Sequence, residues 1–170
     1  MPILRSPRLL AALAACALVT GASAAPALAD SGHTVTNTVT QHGTWTEYGD
    51  HDFCTGETIN PTITGNSVMH VTYFPGGDEA WGTFTTEGTA TFVQPSTQLD
   101  FSGRVTVWGN FNMNNRNSNS TFTANFKASA VDSAGVTHYE TGHETFHIGF
   151  NAVDPGTPIV IVDKMNVTCS

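Results

Sequence analysis

The sequence predicts an all-β protein, a single-domain antiparallel β-barrel of about 8–10 strands closed by one disulfide, with a β-sandwich as the alternative architecture. Three observations carry this. From residue 33 onward the chain is written in Thr, Val, Phe, Gly and Asn, with few helix formers. Several stretches alternate strictly between apolar or small residues and polar ones, the period of a strand with one buried face. Turn-forming clusters recur at short spacing, and no segment keeps a helical period over three turns.

Residues 1–29 are expected to be a signal peptide. Arg5 and Arg8 give a positive start, Leu9 to Ala22 is an apolar run of fourteen residues, and Ala27-Leu28-Ala29 supplies the small-x-small cleavage pattern. That run is shorter than the roughly twenty residues a membrane-spanning helix needs, and no later stretch approaches it, so no transmembrane segment is expected in residues 30–170. Leu13-Ala14-Ala15-Cys16 also fits a lipoprotein box, which makes lipid attachment at Cys16 the minor alternative to free secretion. The apolar run continues beyond Cys16, and a better-placed cleavage site follows.

Residues 30–170 are expected to form a single all-β domain. Its basic residues are Arg104, Arg116, Lys127 and Lys164, against fourteen acids, a net charge of about −10. Such a surface excludes nucleic acid as a partner, because phosphate binding depends on Lys and Arg displacing counterions. Two cysteines, Cys54 and Cys169, are expected to pair, as an even set in an exported chain does. A loop that long would stabilise the fold by about 4–5 kcal/mol in the chain-entropy picture.

In chain order, the expected strands are 33–41, 43–49, 57–64, 67–74, 79–86, 88–94, 99–113, 118–132, 136–151 and 158–168. The two clearest are 99–113, with Phe101, Gly103, Val105, Val107, Gly109 and Phe111 on one face, and 118–132, with Phe122, Ala124, Phe126 and Ala128 inward. Pro75-Gly76-Gly77-Asp78, Ser133-Ala134-Gly135 and Asp154-Pro155-Gly156 punctuate the chain, and Asn114 to Ser120 is an Asn-rich tip. Three long adjacent strands joined by short turns favour a meander. Ile159, Val160, Ile161 and Val162 are apolar on both faces, so the last strand is expected to lie centrally or to close the barrel.

At Phe53-Cys54-Thr55-Gly56-Glu57, Thr64-Gly65 to His70, His143-Glu144-Thr145-Phe146-His147 and Asn166-Val167-Thr168-Cys169, the chain resembles a family of small secreted, β-barrel-like proteins from high-GC Gram-positive bacteria. The resemblance covers most of residues 30–170. It implies a disulfide-closed β domain and no assigned activity.

His143-Glu144-Thr145-Phe146-His147 is a literal H-E-x-x-H, which binds zinc in peptidases because a helix places both imidazoles on one face. Here the context is a strand: the two histidines would stand about 13 Å apart, and Glu144 would point to the opposite face. A zinc peptidase is therefore not expected. His70, His143 and His147 are weak candidates for a cross-strand metal site, with half-exposed polar positions the simpler reading. Asp50 and Asp52 in Tyr48-Gly49-Asp50-His51-Asp52 suggest a polar turn more than a calcium loop. No Gly-x-Ser-x-Gly elbow is present. No catalytic residue and no cofactor are assigned. The remaining candidate is a barrel interior lined by Phe101, Phe111, Phe122, Phe126, Phe146 and Phe150, either packed solid or holding one small ligand. Two functions follow as expectations: a secreted, non-enzymatic protein binding a small apolar ligand, or an envelope-associated protein with a packed core that meets a cell-surface partner. A metal-dependent enzyme using the histidines ranks third.

Overall fold

The computed structural model of the chain describes residues 33–76, 78–114, 116–151 and 154–170. The expected signal peptide 1–29 and Cys16 lie outside the described residues.

The described residues form nine strands: β1 (Val35–Thr46), β2 (Asp50–His51), β3 (Thr58–Ile59), β4 (Thr62–Tyr73), β5 (Ala80–Val93), β6 (Asp100–Met113), β7 (Asn117–Val131), β8 (Thr137–Asn151) and β9 (Asp154–Cys169). Seven of them form one antiparallel meander in the order β1-β4-β5-β6-β7-β8-β9, and β2 and β3 make a separate hairpin. At the β7–β8 turn the Asp132 carboxylate accepts from the Ala134 and Val136 amides, and Gly135 takes the positive φ of 81° that a side chain resists.

Six of the expected strands fuse into three longer ones. The expected breaks near 42, 65–66 and 87 coincide with Gly43, Gly65 and Gly88, which are not breaks. They lie in register across three neighbouring strands, Gly43 opposite Gly65 and Gly65 opposite Gly88. A Cβ on Gly65 would strike the Glu87 carbonyl and come 2.7 Å from the Gly88 Cα. A Cβ on Gly103, one strand further on, would strike the Lys127 carbonyl and the Ala128 Cα. Glycine at Gly65, Gly88 and Gly103 therefore allows a close approach of neighbouring backbones instead of ending the strand, while a Cβ on Gly43 would meet nothing within 4 Å.

The sheet wraps round a cavity lined by residues of all seven strands. It is not closed by hydrogen bonds: among the described residues no ladder joins β1 to β9. In an antiparallel meander of seven the first and last strands run the same way, so only a parallel ladder could join them, and none is formed among the described residues. Strand β9 is accordingly an edge strand, neither central nor closing, and Ile159, Ile161 and Val162 on it are 62, 47 and 39% exposed.

The β2–β3 hairpin crosses one end of the wrapped sheet. Ile59 packs in the buried cluster with Phe92, Phe101, Ala128 and Ala130. Phe53 stacks on Phe126 of β7 with ring centroids 4.8 Å apart. Cys54 forms its disulfide with Cys169 at the end of β9, with Cα atoms 5.9 Å apart across 115 positions of sequence. The hairpin thus ties the first half of the chain to the last strand at that end, where the backbones of Tyr139 and Ser170 also exchange two hydrogen bonds.

Candidate functional site

The cavity has a volume of about 970 Å³. Its apolar wall comes from inward positions on successive strands, Trp45 of β1, Ile63 of β4, Phe84 of β5, Val107 of β6 and Phe122 and Phe126 of β7. The alternation legible in the sequence places them there: along β6 Val105 and Val107 face the cavity, while Trp108 points out and is 42% exposed. Among the small lining residues, Gly43 leaves its side-chain position empty, whereas the position over Gly142 is filled by the Phe126 ring.

Of the six phenylalanines expected to line the interior, Phe122 and Phe126 do so. Phe146 is buried behind Phe122, their ring centroids 5.0 Å apart. Phe101, 2% exposed, stacks on Phe92 at 5.3 Å in the packed cluster at the hairpin end. Phe111 lies over Gly82, and Phe150 is half-buried where the β8–β9 ladder shifts register. The interior is therefore part packed and part hollow. Trp45, Phe84 and Phe53 complete the wall and were not singled out by the sequence pattern, because each stands in a segment whose alternation is interrupted by glycine or by the hairpin.

The histidines do not converge. His143 and His147 lie on strand β8, with their Nδ1 atoms 2.6 Å from Asn125 Oδ1 and from Thr121 Oγ1 respectively. His70 is on β4, 2.8 Å from Thr38 Oγ1. Each is satisfied by the directly opposite residue of the adjacent strand, as cross-strand polar pairs are. Glu144 falls on the alternate face of β8 by the period of two, although both it and His143 border the cavity, and His143 and His147 are bonded to different partners.

The most unusual chemistry sits at the hairpin end. Asp52, Gln94 and Glu140 are 1, 5 and 3% exposed. Asp52 Oδ1 accepts from the Cys54 and Thr55 amides, the geometry of an Asx-turn that shapes the hairpin tip. Gln94 Nε2 donates to Asp52 Oδ2 at 3.1 Å and to Glu140 Oε1 at 3.2 Å. The Thr97 hydroxyl donates to Gln94 Oε1 at 2.6 Å, which fixes the amide with its NH₂ toward the two acids. Burial, with the Asp52 charge and a hydrogen bond to Asp52 behind it, pushes the Glu140 carboxyl up to about 7. Glu47, at the cavity wall, is also raised, first by burial and then by the charge of Asp50. The ligand-type atoms of Asp52, Cys54 and Glu140 lie within 4.8 Å of one another. They do not make a zinc centre, because the Cys54 sulfur is bonded to Cys169 and offers no thiolate.

Asp52 was visible in the sequence as part of a polar turn. Glu140 was not singled out, although its position carried a signal: it shares the inward face of β8 with Phe146 and Ile148, where an acid is out of place. No protein-family model, no curated protein and no solved structure matches this chain.

Proposed function

We propose that this is a secreted, non-enzymatic, β-barrel-like binding protein that holds a small, mostly apolar molecule inside its wrapped sheet. The observation behind this reading is the cavity of about 970 Å³ lined by all seven strands of the meander. Pockets that take small molecules run to roughly 300–1,000 Å³ with mainly apolar walls and a few placed polar groups. A solid core, the competing expectation, would leave no such volume. Secretion belongs to the same reading: the leader-like residues 1–29 argue for it, and the disulfide suits an oxidising compartment. So does membership of the Gram-positive secreted family that the Cys54 and Cys169 segments resemble.

The test is titration of residues 30–170 with the neutral dye N-phenyl-1-naphthylamine. Trp81→Phe and Trp108→Phe leave Trp45 as the only tryptophan, and it lines the cavity. Saturable 1:1 dye fluorescence with energy transfer from Trp45, reduced at least tenfold in affinity by the cavity-filling Ala124→Phe, is expected. Absence of saturable binding, or binding indifferent to Ala124→Phe, overturns the reading and directs attention to protein partners of the outer surface.

A further inference from the structure

The outer face of the sheet carries two large rings that the cavity does not use. Trp81 of β5 and Trp108 of β6 are 46 and 42% exposed, and neither lines the cavity. The β5–β6 register sets Trp81 opposite Asn112, Thr83 opposite Asn110 and Thr85 opposite Trp108, so these side chains share one face. The indoles stand diagonally across the ladder, with Thr83 and Asn110 between them. Four positions along the strand and one strand across separate them by about 14 Å, at about 3.3 Å per residue and about 4.8 Å between strands.

We infer that this face binds an extended, neutral polysaccharide, its sugar rings stacked on Trp81 and Trp108 and its hydroxyls bonded by Thr83 and Asn110 between them. The inference goes beyond the cavity reading and does not depend on it.

The chemistry of the face selects that ligand. A pyranose presents C–H groups on its ring faces and hydroxyls round its rim. The ring faces suit the negative π-surface of an indole, and the rim suits hydroxyl and amide side chains. Those side chains are not spent on each other here. Elsewhere on the outer face opposed groups bond across the strands, Thr36 with Thr72, Thr46 with Thr62 and Thr121 with His147. Among the described residues Thr83 and Asn110 oppose each other without a side-chain hydrogen bond, which leaves their donors and acceptors to a ligand. Charge decides between neutral and ionic polymers. None of the side chains on the β5–β6 strip is an acid, a lysine or an arginine, and neither are those opposite them on β4 and β7. The flanking charges along β5 are the acids Glu79 and Glu87. A polyanion therefore finds no counter-charge on the face.

Shape disfavours a second copy of the chain. The face lies on the outside of a sheet wrapped round the cavity, so it is convex. Two convex faces meet along a narrow strip, short of the roughly 800 Å² per partner that a stable protein interface buries. A chain of sugar rings can follow such a surface. The separation of the indoles exceeds the span of one ring, so the ligand is a polymer and not a free sugar.

The experiment measures depletion of the purified protein from solution by suspended cellulose and by suspended chitin, with a polygalacturonate gel as the polyanionic control. Retention by cellulose or chitin is expected, insensitive to high salt, and the preferred polymer tells a bare glycan from an N-acetylated one. Trp81→Ala and Trp108→Ala should each weaken it about tenfold, the scale of a well-placed aromatic contact, with melting temperature unchanged. Trp108→Tyr keeps a ring and should preserve most of it. Ala124→Phe, inside the cavity, should leave it unaltered, so this inference and the cavity reading fail separately. Retention by neither neutral polymer, by the polyanion alone, or surviving both alanine substitutions overturns the inference. So does retention lost with Ala124→Phe, or a dimer that Trp81→Ala dissolves, which would assign the face to a second copy.

Discussion

Glu140→Gln separates the charge of the buried pair from its shape. Glu140 is 3% exposed and its carboxyl is raised from 4.5 to about 7, first by burial and then by the neighbouring Asp52. A folded-state value above the unfolded one means that the native chain holds a proton which the unfolded chain has released. The associated stabilisation is complete below about pH 4.5 and is lost as pH rises through about 7. Its full size is about 3 kcal/mol at about 1.4 kcal/mol per pH unit, an upper bound because a wetter recess would reduce it. Glutamine keeps the acceptor for Gln94 Nε2, adds an NH₂ that can donate to Asp52, and does not titrate. The assay is urea denaturation followed by near-ultraviolet circular dichroism from pH 4.5 to 8.5, with intact disulfide and no ligand. The two proteins are expected to be similar near pH 4.5. At pH 8 the variant should be more stable by up to about 3 kcal/mol, or roughly 10 °C in melting temperature for a domain of this size. The difference between them isolates Glu140 from the general repulsion of an acidic chain. Parallel pH profiles, or a variant less stable at pH 8, would refute the argument.

Other perturbations probe other parts of the structure. Gly103→Ala puts a methyl against the Lys127 carbonyl and the Ala128 Cα, and should cost about 2–3 kcal/mol by thermal denaturation, whereas Gly43→Ala meets nothing within 4 Å and should be close to neutral. Cys54→Ser with Cys169→Ser should lower stability by about 4–5 kcal/mol, since the bridge spans 115 positions of sequence; an unchanged melting temperature in oxidising buffer would contradict the tie between the hairpin and β9. Phe101→Ala should cost about 3–5 kcal/mol because Phe101 is 2% exposed in the packed cluster. Ile161→Lys, on the exposed edge strand β9, should reduce concentration-dependent self-association measured by light scattering, with little change in melting temperature.

The amino-acid sequence by itself determined the all-β class, the face that each residue of β6, β7 and β8 presents, and the pairing of Cys54 with Cys169. Those features follow from a period of two in side-chain direction and, for the disulfide, from Cys54 and Cys169 being the two cysteines of residues 30–170. The alternation of His143, Glu144 and His147 along one strand follows from the same period, which is why the H-E-x-x-H match could be set aside before any coordinates. Only the tertiary structure decided three further things. Gly65 and Gly88 lie inside continuous strands, because register brings them side by side where a Cβ on either would collide with the neighbouring backbone, whereas Gly43 beside them has open space. Strand β9 is an edge, because it pairs with β8 alone among the described residues, and apolar residues on both its faces do not reveal how many neighbours a strand finds. Asp52 and Glu140, 88 positions apart by their numbers, meet because the hairpin crosses the end of the sheet and is held there by the disulfide. Alternation specifies which way a side chain points along its own strand. Which residue it meets across the interior depends on register and curvature, and those are settled only when all seven strands and the hairpin are assembled.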